Sequence, residues 1–393
     1  MKIIINGIEV ETDGSKTILE EAKNLGIEIP TLCHFEGFGP LTSCFLCVVE
    51  VEKSPKLIPS CIFSKEMKIG ILGGGSWGLA LACLLREKGD ILVWEVNLDL
   101  AERIRRTREN PISLPGVTIP DEIEITSEMG RLSESEVIIS ALPSWTIREV
   151  FSKIKEFLKE DALIVSCSKG IENKTFMRPS EVIGDLVSER RIVALSGPSH
   201  AEEVARKIPT AVVSSSRNEK DMLFVQRLFS SSFFRVYTNP DIVGVELGGA
   251  LKNIIAIASG ISDGLDFGDN TRAALFCRGM MEMARIGVAL GGEKTTFSGL
   301  AGIGDLMVTM TSKHSRNRRF GELIGKGKDV ESALAEVKMV VEGFRTAQVT
   351  FHLAREKGIE TPITNEIYHI LFEGKNPSSA VESLLKRELK NEG

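Results

Sequence analysis

The chain has 393 residues, of which 42% are apolar and 26% are charged, a composition ordinary for a globular protein of two or three domains. The formal net charge is −6, and with only two Tyr, three Trp and no basic stripe the chain is not expected to bind nucleic acid. The N-terminus turns acidic too early for a signal peptide, so we expect a cytoplasmic protein. Glycines interrupt the longest uncharged run, 69–85, and we predict no membrane span there.

The first 66 residues predict a small domain. KIIINGIEVE contains two β-rich runs around Asn6-Gly7, a dipeptide typical of tight hairpin turns. After a helix cap predicted within 13–15, TILEEAKNLG predicts a short amphipathic helix that ends at Gly26. A loop rich in cysteine and glycine follows, so we place the first domain at residues 1–66.

From Met67 the pattern changes to alternating strands and helices. KIGILG predicts a buried strand, GGGSWG a tight loop, LALACLLREKG a helix and ILVWEV a second strand. Further strands are predicted at 137–142, 163–168, 192–197 and 210–216. This alternation predicts a doubly wound Rossmann domain over 67–245. From about Val243 only helical periodicity remains, which predicts an all-helical domain over 246–393.

Gly73, Gly75 and Gly78 form a GxGxxG motif between a predicted strand and a predicted helix. The first glycine permits the turn, the second lets a pyrophosphate approach the backbone, and the third lets the helix pack on the strand. Glu95 ends the second predicted strand, where a carboxylate can bind ribose hydroxyls and repel a 2′-phosphate. The motif therefore predicts a dinucleotide cofactor, with NAD(H) favoured over NADP(H). Basic residues in the following helix can weaken that preference or form a solvated face: Arg103, Arg105 and Arg106.

The later motifs carry a family resemblance. The glycine loop with Trp77 is followed in order by GPS, LKN, GDN, GIGD and SRN, which begin at residues 197, 251, 268, 302 and 315. From about Met67 onward the chain resembles the soluble NAD(P)-dependent glycerol-3-phosphate dehydrogenases. The resemblance implies reduction of dihydroxyacetone phosphate to sn-glycerol 3-phosphate, the start of glycerolipid synthesis.

The resemblance also implies roles for single residues. Lys252 would be the general acid that protonates the carbonyl oxygen, and the base in the reverse direction, which fits a desolvated lysine. Lys169 would lie between cofactor and substrate, and Asp305 would orient Lys252 or a substrate hydroxyl. The substrate-binding residues implied are Lys169, Gly197, Ser199, Asp305, Ser315, Arg316 and Asn317. The cofactor-binding residues implied are Gly73, Gly75, Ser76, Trp77, Gly78, Glu95, Lys169, Ala201, Arg316, Val340 and Glu342.

Two positions depart from the family pattern. Members that use NADP often carry a basic residue just after the second strand, whereas this chain has Glu95-Val96-Asn97. In NPISLPG, Ser113 stands where the family often has an aromatic residue, which we expect to affect packing more than chemistry.

Four of the seven cysteines lie in the first 61 residues: Cys33, Cys44, Cys47 and Cys61. A Cys-x2-Cys pair with two outlying cysteines can bind zinc or an iron–sulfur cluster, or remain an empty thiol loop. The segment PTLCHFEGFGPLTSCFLCVVEV resembles the plant-ferredoxin-like 2Fe-2S domain of the large iron–sulfur subunit of respiratory NADH dehydrogenase and of iron-only hydrogenases. The resemblance implies a β-grasp domain with these cysteines as cluster ligands. Phe45 departs from the arginine usual at that position, and His34 is expected to neighbour a ligand rather than to replace one.

A 2Fe-2S cluster and a nicotinamide cofactor transfer different numbers of electrons, so the two centres do not obviously exchange electrons. NADH gives up two electrons as hydride, a 2Fe-2S centre accepts one, and flavins usually mediate between them. We find no second dinucleotide fingerprint, so alternatives remain: an electron-transfer protein, a non-catalytic redox sensor, or an inactive N-terminal fusion. A homodimer, and a flavoprotein or other redox partner, are compatible with the sequence. The remaining cysteines are predicted to be buried structural residues: Cys83, Cys167 and Cys277.

Overall fold

The structure, a computed structural model, describes residues 2–12, 16–30, 48–50, 58–59, 67–187, 191–389 and 391. The chain divides into two compact units. One comprises Met1–Lys68 with Lys88–Asp90, and the other comprises Ile69–Glu87 with Ile91–Gly393.

The first unit begins with an antiparallel hairpin formed by strands β1 (Lys2–Ile5) and β2 (Ile8–Glu11). Asn6 and Gly7 connect the strands with φ values of 49° and 82°. Two positive φ values give a two-residue turn whose twist matches that of the strands. The hairpin predicted at Asn6-Gly7 is therefore confirmed.

Helix α1 (Ile18–Asn24) begins after Thr17, so the cap predicted within 13–15 is wrong. The Thr17 hydroxyl accepts a hydrogen bond from the Glu20 amide at 3.2 Å, and the Glu20 carboxylate accepts one from the Thr17 amide at 2.7 Å. This capping box satisfies two amides that the helix itself cannot satisfy. Its signal in the sequence is the spacing Thr-x-x-Glu.

Strands β3 (Val48–Val49) and β4 (Ile58–Pro59) form a second antiparallel pair in this unit. The four predicted cluster ligands lie outside the described residues: Cys33, Cys44, Cys47 and Cys61. The predicted β-grasp arrangement thus stays a prediction.

The strands of the larger unit are, in chain order, β5 (Lys68–Leu72), β6 (Asp90–Trp94), β7 (Glu109–Asn110), β8 (Leu114–Thr118), β9 (Glu124–Thr126), β10 (Val137–Ser140), β11 (Leu163–Ser166), β12 (Arg191–Ser196), β13 (Thr210–Ser215) and β14 (Phe234–Asn239). Among the described residues, eight of them form one sheet in the order β14-β13-β12-β11-β10-β5-β6-β9. Strands β10, β11, β12 and β5 are joined by parallel pairs, whereas β12 and β13 are antiparallel.

This sheet confirms the predicted, mainly parallel Rossmann arrangement. Strand β5 lies between β10 and β6, so the chain extends the sheet through β6 and β9 on one side of β5 and then returns to β10 on its other side. A crevice opens at the carboxyl ends of the strands at such a switch point, and ligands bind there in α/β proteins. The glycine motif directly follows β5 and lies at this crevice.

The helices of the larger unit on the sheet side are α2 (Ser76–Leu85), α3 (Leu98–Thr107), α4 (Ile147–Ile154), α5 (Pro179–Leu186), α6 (Ala201–Ala205) and α7 (Glu219–Phe229). The C-terminal helices are α8 (Ile242–Gly264), α9 (Asp269–Ala289), α10 (Lys294–Phe297), α11 (Asp305–Thr311), α12 (Arg316–Gly325), α13 (Val330–Val337), α14 (Glu342–Lys357), α15 (Pro362–Glu373) and α16 (Pro377–Leu385). No strand follows β14 in the described part of the chain, in line with the predicted helical C-terminal third.

Helix α8 is the core of the helical domain. Helices α9, α11, α12 and α14 pack around it, and apolar residues on all its faces are buried. It is the one helix of the described residues that is long and apolar enough to cross a membrane, but 94% of its most apolar window is buried within the protein. That burial is what a core helix shows, and it explains why α8 can hold polar side chains away from water.

A buried ion pair joins the Rossmann domain to α8. Arg178, which precedes α5, donates a hydrogen bond to the Glu246 carboxylate. Glu246 also accepts hydrogen bonds from the Ser180 amide at 2.8 Å and the Ser180 hydroxyl at 2.6 Å. Burial raises the pKa of Glu246, and these donors oppose that rise. The pair fixes α8 against the sheet domain six residues before Lys252.

Candidate active site

The glycine motif has the geometry of a phosphate-binding turn. Gly73 has a φ of 110°, which favours glycine, and a Cβ on Gly78 would lie 1.9 Å from the Gly73 carbonyl oxygen. A Cβ on Gly75 would meet nothing within 4 Å, so the backbone borders open space where α2 begins. The amides at a helix N-terminus bind anions, and the residues therefore fit a dinucleotide pyrophosphate.

Glu95 lies against this loop at the end of β6. Its carboxylate accepts hydrogen bonds from the amides of Gly74 and Asn97, both at 2.9 Å. Asn110 supports the loop from β7, because its side-chain amide donates to the Gly74 carbonyl oxygen at 3.0 Å. Sequence reasoning missed Asn110, although it opens the NPISLPG motif. The three arginines of α3, at positions 103, 105 and 106, are all exposed.

Lys252, Asp305 and Lys169 meet in one buried cluster. One oxygen of Asp305 accepts a hydrogen bond from the Lys252 ammonium, and the other accepts one from the Lys169 ammonium at 2.7 Å. The Asp305 and Lys252 side chains are 1% and 8% exposed, whereas that of Lys169 is 18% exposed. Three residues that are far apart in the sequence therefore share one ion network.

Thr309 completes the surroundings of Lys252. Its hydroxyl accepts a hydrogen bond from the Lys252 ammonium at 2.8 Å and donates one to the Asp305 carbonyl oxygen at 2.6 Å. Thr309 lies one turn after Asp305 on α11, and that spacing was the only available sequence signal. Sequence reasoning did not identify it.

The pKa of Lys252 is lowered to about 7. Burial is the main cause, the charge of Asp305 raises the pKa, and the charge of Lys169 lowers it again. A lysine with a pKa near working pH can both donate and accept a proton, as general acid–base catalysis requires.

Lys169 also contacts the loop after β12. Its ammonium donates to the Gly197 carbonyl oxygen at 2.8 Å and lies 3.4 Å from the Ser199 hydroxyl, which itself donates to Gly197 at 2.8 Å. Gly197 has a φ of 129°, so the sharp turn at this point favours glycine. Ala201 begins helix α6 two residues after Ser199 and is buried.

Ser315, Arg316 and Asn317 lie at the start of α12. The Ser315 hydroxyl caps the helix by accepting from the Arg318 amide at 3.2 Å, which leaves its own hydrogen free to donate. Arg316 donates to the Ser76 hydroxyl in the glycine loop, and burial lowers its pKa. The Asn317 side chain links helices instead, donating to Asn253 at 3.0 Å and accepting from the Gly343 amide at 2.9 Å.

Glu342 joins α14 to the loop after β10. Its carboxylate accepts hydrogen bonds from the Ser144 amide at 2.9 Å and the Ser144 hydroxyl at 2.7 Å. Burial raises the pKa of Glu342 to about 7, and the Ser144 donors and nearby arginines oppose that rise. Sequence reasoning missed Ser144. Val340, two residues earlier, is 36% exposed, and no polar contact connects it to the lysine cluster.

Trp77 lies beside one of the three cysteines that the structure describes, and these cysteines differ in burial. The Trp77 indole lies near Cys167, and burial raises the pKa of the Cys167 thiol. Cys167 is buried and Cys83 is partly buried, whereas Cys277 is exposed on α9, so the burial predicted for Cys277 is wrong. Cys277 lies on the face of α9 opposite to Gly279 and Met283, which are buried. The described residues contain no group of three His, Cys, Asp or Glu side chains that could hold a metal.

The arrangement suits the reduction of a carbonyl group in a phosphorylated substrate. A buried ammonium with a lowered pKa lies beside a second cation, and a dinucleotide turn lies at the same crevice. Arg316, at the start of α12, donates a hydrogen bond to Ser76 in that turn and so joins the helical domain to it. Such a site can hold an anion, orient a carbonyl oxygen toward a proton donor and exclude water from both.

The sequence and the fold of this chain were compared with those of known proteins. The family profiles for the NAD-dependent glycerol-3-phosphate dehydrogenase N-terminus and C-terminus match residues 68–222 and 241–382, and a 2Fe-2S iron-sulfur cluster binding domain profile matches residues 1–69. A glycerol-3-phosphate dehydrogenase (NAD(P)+) from a Thermoanaerobacter species is 53% identical over 83% of this chain and 99% of its own length. A relative of the same name from Clostridium acetobutylicum is 48% identical over 82% of this chain and 98% of its own. The crystal structure of glycerol-3-phosphate dehydrogenase from Coxiella burnetii, at 37% identity, superposes with a TM-score of 0.80 over 82% of this chain and 99% of its own.

Proposed function

Because the chain belongs to the NAD-dependent glycerol-3-phosphate dehydrogenase family, we propose that it reduces dihydroxyacetone phosphate to sn-glycerol 3-phosphate, reversibly, with NADH. The observation that carries this proposal is the buried Lys252–Asp305–Lys169 network beside the dinucleotide turn. In the cell, the product would supply glycerophospholipid synthesis.

Lys252 is the general acid of the proposed reaction. A nicotinamide cofactor held by the glycine loop and Arg316 would supply a hydride to the carbonyl carbon, and negative charge would develop on the carbonyl oxygen. The Lys252 ammonium gives that oxygen its proton, and in the reverse direction neutral Lys252 removes a proton from the hydroxyl. Asp305 and Thr309 hold the ammonium in place. Lys169 stabilises the developing charge from the other side of Asp305.

The start of α12 is the proposed phosphate site. Ser315 and Arg316 offer a hydroxyl hydrogen and a guanidinium fork, which suit a phosphate dianion. Asn317 contributes through its remaining amide hydrogen, while its other contacts fix α12 to α8 and α14. With the charges of Lys169 and Lys252, the site is positive toward a dianionic substrate.

NADH is the proposed preferred cofactor. The residues of the glycine loop, with Ala201, Arg316, Val340 and Glu342, form its proposed shell. Glu95 is held toward the loop by the Gly74 and Asn97 amides, so a negative charge stands where a 2′-phosphate would approach. Like charges placed this close repel, which disfavours NADPH.

A steady-state assay with dihydroxyacetone phosphate tests both statements. The wild-type chain is expected to oxidise NADH with a kcat/KM about tenfold or more above that with NADPH. Lys252→Met should lower kcat by about 10²–10⁴-fold, because it removes the proton donor and leaves a side chain of similar length.

Lys326→Met is the matched control, since Lys326 is exposed, directly follows α12 and pairs with Glu322, four residues earlier. Full activity in Lys252→Met would refute the proposed mechanism. A preference for NADPH would refute the proposed role of Glu95.

The N-terminal segment is a second functional unit in this proposal. The family match over residues 1–69 supports a 2Fe-2S cluster held by Cys33, Cys44, Cys47 and Cys61. A one-electron centre and a hydride donor do not exchange electrons readily without an intermediary. We therefore assign the cluster to a redox partner or to redox sensing, separate from the dehydrogenase reaction.

A further inference from the structure

Trp145 and Arg345 form a contact between the two domains of the larger unit that the proposed mechanism does not use. Trp145 lies in the loop after β10, directly after Ser144, and is half-buried. Arg345 lies on α14, three residues after Glu342, and is exposed. The Arg345 guanidinium carbon lies 4.6 Å from the centroid of the Trp145 ring, which is the geometry of a cation–π contact. The pair therefore joins the loop after β10 to the helical domain.

A second contact lies directly beside this pair. Ser144 donates its amide hydrogen and its hydroxyl hydrogen to the Glu342 carboxylate, at 2.9 Å and 2.7 Å. Residues three apart on a helix lie on the same face, so Glu342 and Arg345 together meet two consecutive residues of the loop. We call these four residues the β10–α14 clamp: Ser144, Trp145, Glu342 and Arg345.

The loop that the clamp holds adjoins the glycine motif. A Cβ on Gly73 would lie 3.1 Å from the Ala141 carbonyl oxygen and 3.8 Å from the Leu142 side chain, and both residues directly precede the clamp. Strands β5 and β10 are parallel neighbours, so the loops that follow them flank the crevice at the switch point. The loop after β10 is therefore one wall of the proposed cofactor site.

The α14 end of the clamp is fixed to its neighbouring helices. A Cβ on Gly343 would lie 2.6 Å from the Asn253 carbonyl oxygen on α8, so the two backbones touch there. The Gly343 amide also donates to the Asn317 side chain on α12, at 2.9 Å. Because close-packed helices cannot shift freely, α14 does not follow the loop if the loop moves away. The clamp therefore decides how closely this wall of the crevice lies to the helical domain.

We propose that Trp145 and Arg345 hold the loop after β10 against α14 and so retain NADH in the crevice. The inference rests on the proposed function for the identity of the cofactor. Both are positioning residues, because they act through the loop. Among the described residues, neither side chain has a hydrogen bond or ion pair to the network of Lys252, Asp305 and Lys169. The pair should therefore set the affinity for NADH and leave the rate of the chemical step unchanged.

Calorimetric titration of the full chain with NADH measures this affinity without turnover. Arg345→Met removes the charge and keeps the length of the side chain, and Trp145→Leu removes the aromatic face and keeps an apolar group. Each variant should raise the Kd of NADH by about three- to tenfold, in keeping with one cation–π contact. The KM of NADH should rise by a similar factor, whereas kcat at saturating NADH should stay within about twofold of the wild type.

Two further comparisons separate the contact from a general loss of packing. Arg345→Lys keeps a cation and Trp145→Phe keeps an aromatic face, so each should bind NADH within about twofold of the wild type. The double variant Trp145→Leu with Arg345→Met should bind NADH no more weakly than the weaker single variant, because either change alone already removes the contact.

Arg355→Met is the matched control. Arg355 is also exposed on α14 and lies 5.5 Å from the centroid of the Phe351 ring, but both residues of that pair belong to α14. Its variant should bind NADH as the wild type does. An unchanged Kd in Arg345→Met, additive losses in the double variant, or an equal rise in Arg355→Met would overturn the inference. Failure of the wild-type chain to turn over dihydroxyacetone phosphate, with the Kd values changed as expected, would instead refute the proposed function.

Discussion

Asp305 is the residue through which the two lysines of the site are connected. Each of its oxygens accepts a hydrogen bond from one ammonium group, and its side chain is almost fully buried. Its negative charge raises the pKa of Lys252, which burial has lowered to about 7. Asp305 therefore sets the pH at which Lys252 exchanges its proton.

Replacing Asp305 by Asn tests this link through the pH profile. Reduction needs protonated Lys252, so kcat/KM for dihydroxyacetone phosphate should fall as the pH rises through the pKa of about 7. Loss of the neighbouring carboxylate lowers that pKa, and the falling limb should move to lower pH by about 1–3 units. In the oxidation of glycerol 3-phosphate, which needs neutral Lys252, the rising limb should move in the same direction.

Asp269→Asn is the matched control for this profile. The Asp269 side chain is 95% exposed and pairs with Arg272, so its variant should keep the wild-type limb. If the falling limb of the Asp305→Asn profile stays near pH 7, the limb reports the titration of a group other than Lys252.

Residues with a chemical role were easier to predict than their supporting partners. Lys252, Lys169 and Asp305 follow from family motifs, and the structure brings all three into contact. Thr309, Ser144 and Asn110 were not predicted, because each acts by supporting another residue through hydrogen bonds that form only in the folded chain. Such contacts depend on the folded geometry and leave little trace in one sequence.

At the scale of elements, the crossing of α8 and α12 aligns the two halves of the helical site. Gly260 on α8 lies so close to α12 that an added Cβ would lie 1.9 Å from the Arg318 carbonyl oxygen. Gly321 on α12 likewise approaches the Ile257 carbonyl oxygen, at 2.1 Å from an added Cβ. Glycines on both helices therefore let the two backbones touch, which fixes Arg316 relative to Lys252.

Gly260→Ala is expected to push the helices apart. Overpacking at a contact with backbone should lower the free energy of unfolding by about 1–3 kcal/mol and reduce kcat/KM by moving Arg316. Urea denaturation and the steady-state assay measure the two effects. Gly268→Ala is the control, because a Cβ there meets nothing within 4 Å, and it should stay within about 0.5 kcal/mol of the wild type. Equal stability of the two variants would contradict the role given to the crossing.

The elements that the sequence predicted are those with long apolar runs. Strands β10, β11, β12 and β13 were predicted because each contains a run of consecutive apolar residues. Strand β14 was missed, although FRVYTN alternates buried Phe234 and Val236 with exposed Arg235 and Tyr237. Its period of two was the available signal. The short strands β7 and β9 have too few residues for any periodicity.

At the scale of the whole molecule, the chain combines two units with different chemistry. The larger unit matches the glycerol-3-phosphate dehydrogenase profiles and carries the proposed active site, and the N-terminal unit matches a 2Fe-2S domain profile. The order of the three domains could be predicted from the sequence, because composition and periodicity change near Met67 and Val243. The chemistry of the N-terminal unit was readable only from cysteine spacing, and those cysteines lie outside the described residues.

The central claim is a dehydrogenase reaction that proceeds without the cluster. The most direct measurement uses the full chain, purified without oxygen, and records visible and EPR spectra after adding NADH and then dihydroxyacetone phosphate. We expect NADH absorbance to stay constant until dihydroxyacetone phosphate is added, then to fall as an equal amount of glycerol 3-phosphate forms. The cluster signal should remain that of the oxidised centre throughout. Reduction of the cluster by NADH alone, or no NADH oxidation with dihydroxyacetone phosphate, would contradict the account.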